Sequence, residues 1–524
     1  MPVSITRLSS HNRPFRSWLL TSPCSIRHLQ GRNYSSKPSR INILGGTYPM
    51  DSYTNVTPAI ISKLNTRLTD KPAHPLNTLK SLIESHFTDY THFSQSFPPP
   101  SSSLPSSSLS SLSSSSSAAA ALSPLVTPEQ NFDSLSFPAD HPGRAQTDSY
   151  YVNKNLMLRT HTSAHEVEVF ASGYKKWLLT ADVFRRDEID ASHYPVFHQM
   201  EGARLFDCPP SPLPGSSSNS SSSRSRSSSS SNAMKELKED NARLESELTS
   251  LADLVKLTDT APHASSENPY QEVHDPVLAE LVVQNLKYNL SLLLFKLFSG
   301  AAGTSKSNPL QIRWIPAYFP FTSPSYEVEV LFRDRWLEIL GCGVVQQQTL
   351  VNAKIPNQIG WAFGLGLERI AMILYSIPDI RLFWTSDERF LSQFQEGKVT
   401  TFTPYSKYPG IARDVSFWTP DSALEKEEKK NGEEGEGEER EDGEEGVKRF
   451  HANDFCDLVR EVAGDLVEEV TVIDQFVHPK TQRESLCYRI SYRSMDRNLE
   501  SIEINALTNL VKERATKELG VELR

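Results

Sequence analysis

The sequence predicts an α+β protein of two bodies, and three observations carry that reading. Period-two alternation, as in Tyr326-Glu327-Val328-Glu329-Val330-Leu331, describes strands with one covered face, while Asp275 to Phe298 is a continuous apolar stretch of helical length. A glycine-spaced strand, Gly360-Trp361-Ala362-Phe363-Gly364-Leu365-Gly366, runs through Leu367-Glu368-Arg369 into the helix-like Ile370 to Leu374. After Phe402 the order becomes strand Ile411 to Trp418, helix Ala452 to Val462, strand Leu466 to Val477, strand Ser485 to Arg493, helix Glu503 to Lys517 and short strand Val521 to Leu523. The first body therefore reads as an antiparallel sheet flanked by helices, and the second, residues 401–524, as a ferredoxin-like β-α-β-β-α-β unit.

From the N-terminus, the first fifty residues carry Arg7, Arg13, Arg16, Arg27, Arg32, Lys37 and Arg40, with no acid before Asp51. Arg-rich, Ser-rich and acid-free is the composition of a mitochondrial transit peptide, taken as residues 1–40. Pro72 to Phe87, within a segment 41–93, sets Pro75, Leu76, Leu79, Leu82, Ile83 and Phe87 on one helical face. Three low-complexity stretches cannot bury enough apolar surface to offset their chain entropy and read as unstructured: Ser94 to Pro128, Pro209 to Asn232 and Asp421 to Val447. They make residues 94–128 a linker, put an insertion at 209–266 inside a main domain 129–400, and put an acidic insertion at 421–447 inside the C-terminal body. Ala233 to Leu257, with Leu237, Leu244, Leu248, Leu251 and Val255 at helical spacing, predicts an amphipathic helix folded on its own domain. Gln311 to Ile315 reads as strand.

Composition narrows the function classes. The 524 residues are only 38% hydrophobic, and no apolar run approaches the roughly 20 residues of a membrane span, so no membrane partner is expected. The five cysteines are odd in number and form no C-x-x-C pair, so neither a structural disulfide nor zinc is expected. Of the net charge of −10, Asp421 to Gly446 holds −9 (thirteen acids, four bases), which leaves the rest near neutral. A nucleic acid would have to be recognised through local basic patches.

The glycine strand carries the chemistry. Alternate glycines leave one strand face bare, so a flat ring can lie against the backbone while Arg369 reaches a phosphate. A dinucleotide fingerprint is excluded because Arg369 stands where the third glycine of G-x-G-x-x-G belongs. Upstream, Ala181 to Gly202 reads as a strand, a polar loop and a returning strand containing Phe184-Arg185-Arg186-Asp187 and Phe197-His198-Gln199-Met200-Glu201. Gln199 and Glu201 lie two apart and share a strand face, an acceptor beside an anion where an ammonium group can dock.

These segments together resemble motifs two and three of class II aminoacyl-tRNA synthetases. His161-Thr162-Ser163-Ala164-His165, Tyr318-Phe319-Pro320-Phe321-Thr322-Ser323-Pro324-Ser325 and Trp336-Leu337-Glu338-Ile339-Leu340-Gly341-Cys342-Gly343 make the phenylalanine-specific enzymes the match, in their single-chain mitochondrial form of fungal type. The resemblance runs from about Thr47 to Arg524, and Pro72 to Phe87 resembles motif one. It implies ATP, L-phenylalanine and tRNA(Phe) as substrates and partners, with Mg²⁺ as cofactor. Arg185 would contact the α-phosphate and Arg369 the γ-phosphate; Glu338 would hold Mg²⁺, and these three would be the catalytic residues. Asp187, one methylene shorter than the usual Glu, with Ser192, His193, Tyr194 and Phe363, would complete the ATP site, Phe363 stacking on adenine. His161, Ser163, Ala164, His165, Glu166, Gln199, Met200, Glu201, Phe319, Phe321 and Ala362 would bind phenylalanine, Ala362 flooring the ring pocket. The resemblance further implies an anticodon-binding C-terminal domain, tRNA contacts around Tyr48 to Thr57, a monomer and a mitochondrial matrix location. Arg489 and Arg493, opposite the apolar face of Leu486, Tyr488, Ile490 and Tyr492, are candidates for RNA contact. The segments outside the two bodies leave no room for an editing domain.

The rival reading is an inactive, synthetase-like RNA-binding protein, which should have lost charged site residues; Arg185, Glu201, Glu338 and Arg369 are all present. A small-molecule ligase would not need the C-terminal unit.

Overall fold

The computed structural model describes residues 40–64, 66–94, 122–208, 222–251, 255–299, 309–404, 408–420, 450–494 and 497–524. The expected transit peptide and acidic insertion lie outside these residues, apart from Arg40, which opens a small hairpin, Arg40–Ile43 with Gly46–Pro49.

The main body is built on eight strands: β1 Thr91–Ser94, β2 Lys176–Phe184, β3 Val196–Asp207, β4 Val255–Asp259, β5 Leu310–Phe319, β6 Thr322–Phe332, β7 Arg335–Val345 and β8 Gln358–Gly366. They lie in the order β1-β2-β3-β8-β7-β6-β5-β4. The six inner strands pair antiparallel as expected, whereas both edge pairs, β1 with β2 and β4 with β5, are parallel. Helices α1 (Pro75–His86), α2 (Ser222–Leu251), α3 (Pro276–Phe298) and α4 (Leu367–Tyr375) cover one face. Their apolar residues, Leu79, Ile83, Leu237, Leu286 and Ile370 among them, form one core with Trp361, Phe363 and Leu365 of β8. Asp275 starts α3 because its carboxylate accepts from the N–H groups of Val277 and Leu278 ahead of Pro276, a residue suited to the first turn.

Three expectations change. Val255 and Leu257 are not helical: α2 ends at Leu251, and the chain returns as edge strand β4, whose valine only happened to fall at helical spacing. At its other end α2 starts at Ser222, inside the stretch read as unstructured, since extending a nucleated helix costs far less than starting one. Nor is the stretch up to Pro128 wholly unstructured: Leu122 and Val126 are buried, Leu125–Val126 pairs with Met157 and Leu158, and Thr127 caps the next turn through a capping box with Gln130.

The C-terminal body follows the expected order, with β9 Ile411–Trp418, α5 Ala452–Ala463, β10 Val467–Val477, β11 Glu484–Tyr492, α6 Ser501–Glu518 and β12 Glu522–Leu523. Its sheet order is β10-β11-β9-β12, all antiparallel, and Val415, Phe417, Tyr488 and Ile490 pack against Phe455, Val459, Ile504 and Val511 of the helices. No helix among the described residues is long and apolar enough to cross a membrane.

Candidate active site

A cavity of about 630 Å³ opens on the sheet face opposite α1 and α3, over the join of β3, β8 and β7. Strand alternation decides which side chains enter it. On β8, Trp361, Phe363 and Leu365 turn into the core, so Ala362, Gly364 and Gly366 form the floor. The glycines differ in what they accommodate. A Cβ on Gly360 would lie 2.1 Å from the Arg204 carbonyl oxygen, and one on Gly202 would lie 2.5 Å from the Phe363 ring, so those two are demanded by packing. A Cβ on Gly364 would meet nothing within 4 Å, and one on Gly366 only a carbonyl at 3.9 Å. Folding does not require these two to be glycine; they keep open a floor on which something else can rest.

Cations line one end. Arg185 leaves the end of β2, anchored by its Nε–H to the Thr160 carbonyl at 2.8 Å, with its guanidinium 5.3 Å over the Phe197 ring. Arg369 opens α4, donating to the Glu338 carbonyl oxygen at 3.1 Å and to His193 Nε2 at 3.1 Å. In that bond Nε2 accepts and Nδ1 carries the proton facing Asp190 Oδ2 at 2.9 Å, a hydrogen bond that raises the pKa of the ring. Burial alone would raise the Asp190 carboxyl, but hydrogen bonds from His193 and Ser192 bring it well below the usual range. On the same rim, burial and then the facing Glu338 push Glu327 up to about 7, the mark of two carboxylates crowding one position.

The other end is apolar with an acid at its side. Phe319 and Phe321 lie 5.9 Å apart, Phe321 is 6.0 Å from His161, and Phe137 stacks on His161 at 5.5 Å. Gly341 makes room for this wall, because a Cβ there would lie 2.6 Å from Phe319. Both His161 nitrogens are buried without partners, and burial, then Arg185, hold its pKa down to about 3, so the ring is neutral. Glu201 stands opposite Gly364 in the ladder, and Gln199 opposite Gly366. Glu201 is 2% exposed with one carboxylate oxygen unpartnered, and burial raises its pKa to about 7. Behind it, Glu166 is fully buried with neither oxygen bonded, and burial and Glu201 push it well above the ordinary range. A buried acid pair short of partners calls for a proton or a cation.

Fifteen of the nineteen residues picked from the sequence border the cavity: Arg185, Asp187, Ser192, His193, Tyr194, Glu338, Phe363, Arg369, His161, Ser163, Gln199, Glu201, Phe319, Phe321 and Ala362. Phe363 nevertheless does not offer its ring. It is 2% exposed and stacked 5.5 Å from Phe87 in the core, because it alternates with Gly364. Ala164, His165, Glu166 and Met200 lie outside the lining. Ala164 packs with Phe132 and Met157, and Met200 faces the core because its neighbours Gln199 and Glu201 face the cavity. His165 accepts from Arg159 at 3.0 Å and bonds Glu168 at 3.2 Å, while Glu166 sits behind Glu201. The sequence reading missed Phe197, Glu327 and Phe137, all of which line the cavity. Alternation from Gln199 and Glu201 pointed to Phe197; no pattern marked Phe137, which comes from an irregular segment. Arg489 and Arg493 are not free cations, since each is paired, to Asp414 at 2.8 Å and Glu468 at 3.0 Å.

Comparison with known proteins agrees with this geometry. The class II core domain of tRNA synthetases, phenylalanine type, matches residues 115–206 and 270–394, and the ferredoxin-fold anticodon-binding domain matches residues 447–524. The mitochondrial phenylalanine–tRNA ligase of Saccharomyces cerevisiae is 40% identical over 94% of this chain and 97% of its own length. That of Mus musculus is 39% identical over 94% of each chain, and the chloroplastic/mitochondrial enzyme of Arabidopsis thaliana 37% identical over 90% of this chain and 83% of its own. With a cavity that joins a bare strand floor, two arginines and a buried acid, and with likeness along nearly its whole length, the chain belongs to the mitochondrial phenylalanine–tRNA ligase family of class II aminoacyl-tRNA synthetases.

Proposed function

We propose that the chain joins L-phenylalanine to tRNA(Phe) in mitochondria, first activating the amino acid with ATP and then passing it to the terminal adenosine. The observation that carries this is the floor at Gly364 and Gly366, open where the fold has no need of it, between paired arginines at one end and a buried acid with an aromatic wall at the other.

In this reading the adenine ring lies over Gly366 against Phe197, and Arg185 and Arg369 hold the phosphates with the planar fork that suits them. Phenylalanine sets its α-ammonium on Glu201 and Gln199 and its ring against Phe319, Phe321 and Ala362. Its carboxylate then attacks the α-phosphate and pyrophosphate leaves. No side-chain nucleophile takes part, so the rate comes from alignment and from cations preorganised around the developing charge. Glu327 and Glu338 suit a hard divalent cation such as Mg²⁺, which would neutralise phosphate charge. Among the described residues no cluster of three or more His, Cys, Asp or Glu could hold a metal, so its other ligands would be phosphate and water oxygens. The C-terminal unit, residues 401–524, would bind the anticodon, residues 129–400 would carry both chemical steps, and the enzyme would act as a monomer.

The test is phenylalanine-dependent exchange of labelled pyrophosphate into ATP, with tyrosine and Arg369→Ala as controls. Exchange that is specific for phenylalanine and lost in the variant is expected. A folded, Mg²⁺-supplied protein that shows none overturns the reading.

A further inference from the structure

The loop between β2 and β3, which borders the nucleotide end of the cavity, is gripped from outside by the C-terminal body. Arg186 bridges to Asp454 at 2.8 Å and to Asp457 at 2.5 Å, and all three side chains are less than a tenth exposed. Arg460, on the same face of α5, pairs with Asp457 at 2.9 Å and donates through one nitrogen to the carbonyl oxygens of both Asp187 and Glu188. Ile189 packs within the core of the C-terminal body, and its carbonyl accepts from the Val470 N–H at 3.0 Å. Tyr194 closes the loop by donating to Asp465 at 2.9 Å. The loop's inner side presents Asp187, Ser192 and His193 to the cavity, and His193 in turn accepts from Arg369.

We propose that Arg460, a residue of the C-terminal domain, is a positioning residue for ATP. The carbonyls of Asp187 and Glu188 lie beyond the last ladder pair of β2, Phe184 with Val196, and the guanidinium supplies the donors that the ladder no longer does. Holding those carbonyls fixes the backbone between Arg185 and His193, and so the spacing of the two cations that meet the phosphates. A displacement of about 1 Å in such a constellation costs about a hundredfold in rate. The inference rests on the synthetase reading and gives the C-terminal domain a part in the step that precedes any contact with tRNA.

The experiment is pyrophosphate exchange by the full chain carrying Arg460→Ala or Arg460→Lys, with Arg497→Ala as a surface control, alongside direct titration with ATP. A charged hydrogen bond of this kind is worth roughly a tenfold change, so Arg460→Ala should raise the ATP KM and Kd about tenfold and leave the phenylalanine KM unchanged. Arg460→Lys, able to serve one carbonyl, should recover part of that, and amide exchange should quicken at residues 187–193 while β3 stays protected. An unchanged ATP KM and Kd, or equal changes for ATP and phenylalanine, would overturn the proposal. If the alanine variant melts below assay temperature, the lysine variant decides: wild-type ATP binding there overturns it too. A wild-type chain with no exchange would sink the synthetase reading instead, and the ATP titration would still read Arg460.

Discussion

Gly366→Ala separates what the fold needs from what the ligand needs. The new methyl would have one neighbour, the Ile339 carbonyl oxygen at 3.9 Å, an ordinary contact, and the backbone there is extended with φ at −81°. The empty protein should therefore tolerate the change, and replacing glycine in a strand can add about 0.5–1 kcal/mol of stability by restricting the unfolded chain. The cost falls on the complex. A ring at van der Waals distance from the bare strand sits about 3.5–4 Å above it, and a Cβ standing about 1.5 Å out of the backbone takes up much of that gap. Overfilling a packed site costs about 1–3 kcal/mol, which is roughly 5- to 150-fold in the ATP KM. Exchange kinetics at saturating phenylalanine measure the KM, and calorimetric melting reports the fold. Gly364→Ala should instead raise the phenylalanine KM, because that floor position faces Glu201 in the ladder. Gly360→Ala, whose methyl would lie 2.1 Å from a carbonyl oxygen, should lower the melting temperature by several degrees. The reasoning fails if Gly366→Ala leaves the ATP KM unchanged, or if it melts as early as Gly360→Ala.

Two further outcomes are expected. Phe197→Ala should weaken ATP by about tenfold with little loss of stability, whereas Phe363→Ala, which empties a core position against Phe87, should cost about 3–5 kcal/mol of stability; denaturant titration beside exchange kinetics separates the two, and the opposite pattern would return the adenine contact to Phe363. Glu201, raised to about 7, must be charged to hold an ammonium group, so the phenylalanine KM should be flat above pH 7 and rise about tenfold per unit below it, while Glu201→Gln binds weakly at every pH. A phenylalanine KM that is flat from pH 5 to 8 would remove Glu201 from that role.

Where a residue's place at the cavity follows from strand period and charge, the sequence showed it. Arg185 and Arg369 close an apolar strand and open a helix, and no apolar core accepts an arginine at such a junction unpaired. The C-terminal body was equally legible, because each of its strands and helices has its own period. The inward turn of Phe363 was legible from its phase and not from its neighbours: adjacent residues of a strand face opposite ways, and with Gly364 on the floor Phe363 packs against Phe87. Val255 fell at helical spacing by chance, and no local signal shows that a helix stops four residues earlier, at Leu251, when the next strand pairs with one more than fifty residues away, at Leu310. Glu327 was hidden for a related reason. As one of two acids in a regular alternation it looked like a solvated face, and only the ladder across β6 and β7, which sets Glu327 opposite Gly341 and Glu329 opposite Glu338, brings it within the influence of Glu338.

The ladder between β3 and β8 is what would let one cavity serve two unlike substrates in the proposed reading. Glu201 pairs with Gly364 and Gln199 with Gly366, so the proposed ammonium contact and nucleotide floor lie along the same face of the β3–β8 pair. Same-face neighbours along a strand are two residues apart, roughly 7 Å at about 3.4 Å per residue. In the proposed reading that span separates the ammonium contact at Glu201 from the adenine floor at Gly366, and the phosphates go to Arg185 and Arg369. The spacing is set by backbone hydrogen bonds in the middle of an eight-stranded sheet, so it does not depend on any loop. What a loop does set is the placement of Arg185 and, through the hydrogen bond that His193 accepts, of Arg369. In the proposed reading the ladder therefore spaces the two binding sites and the clasped loop orients the cations, so substitutions in the floor should act on each substrate's affinity and substitutions in the clasp around Arg460 on ATP alone.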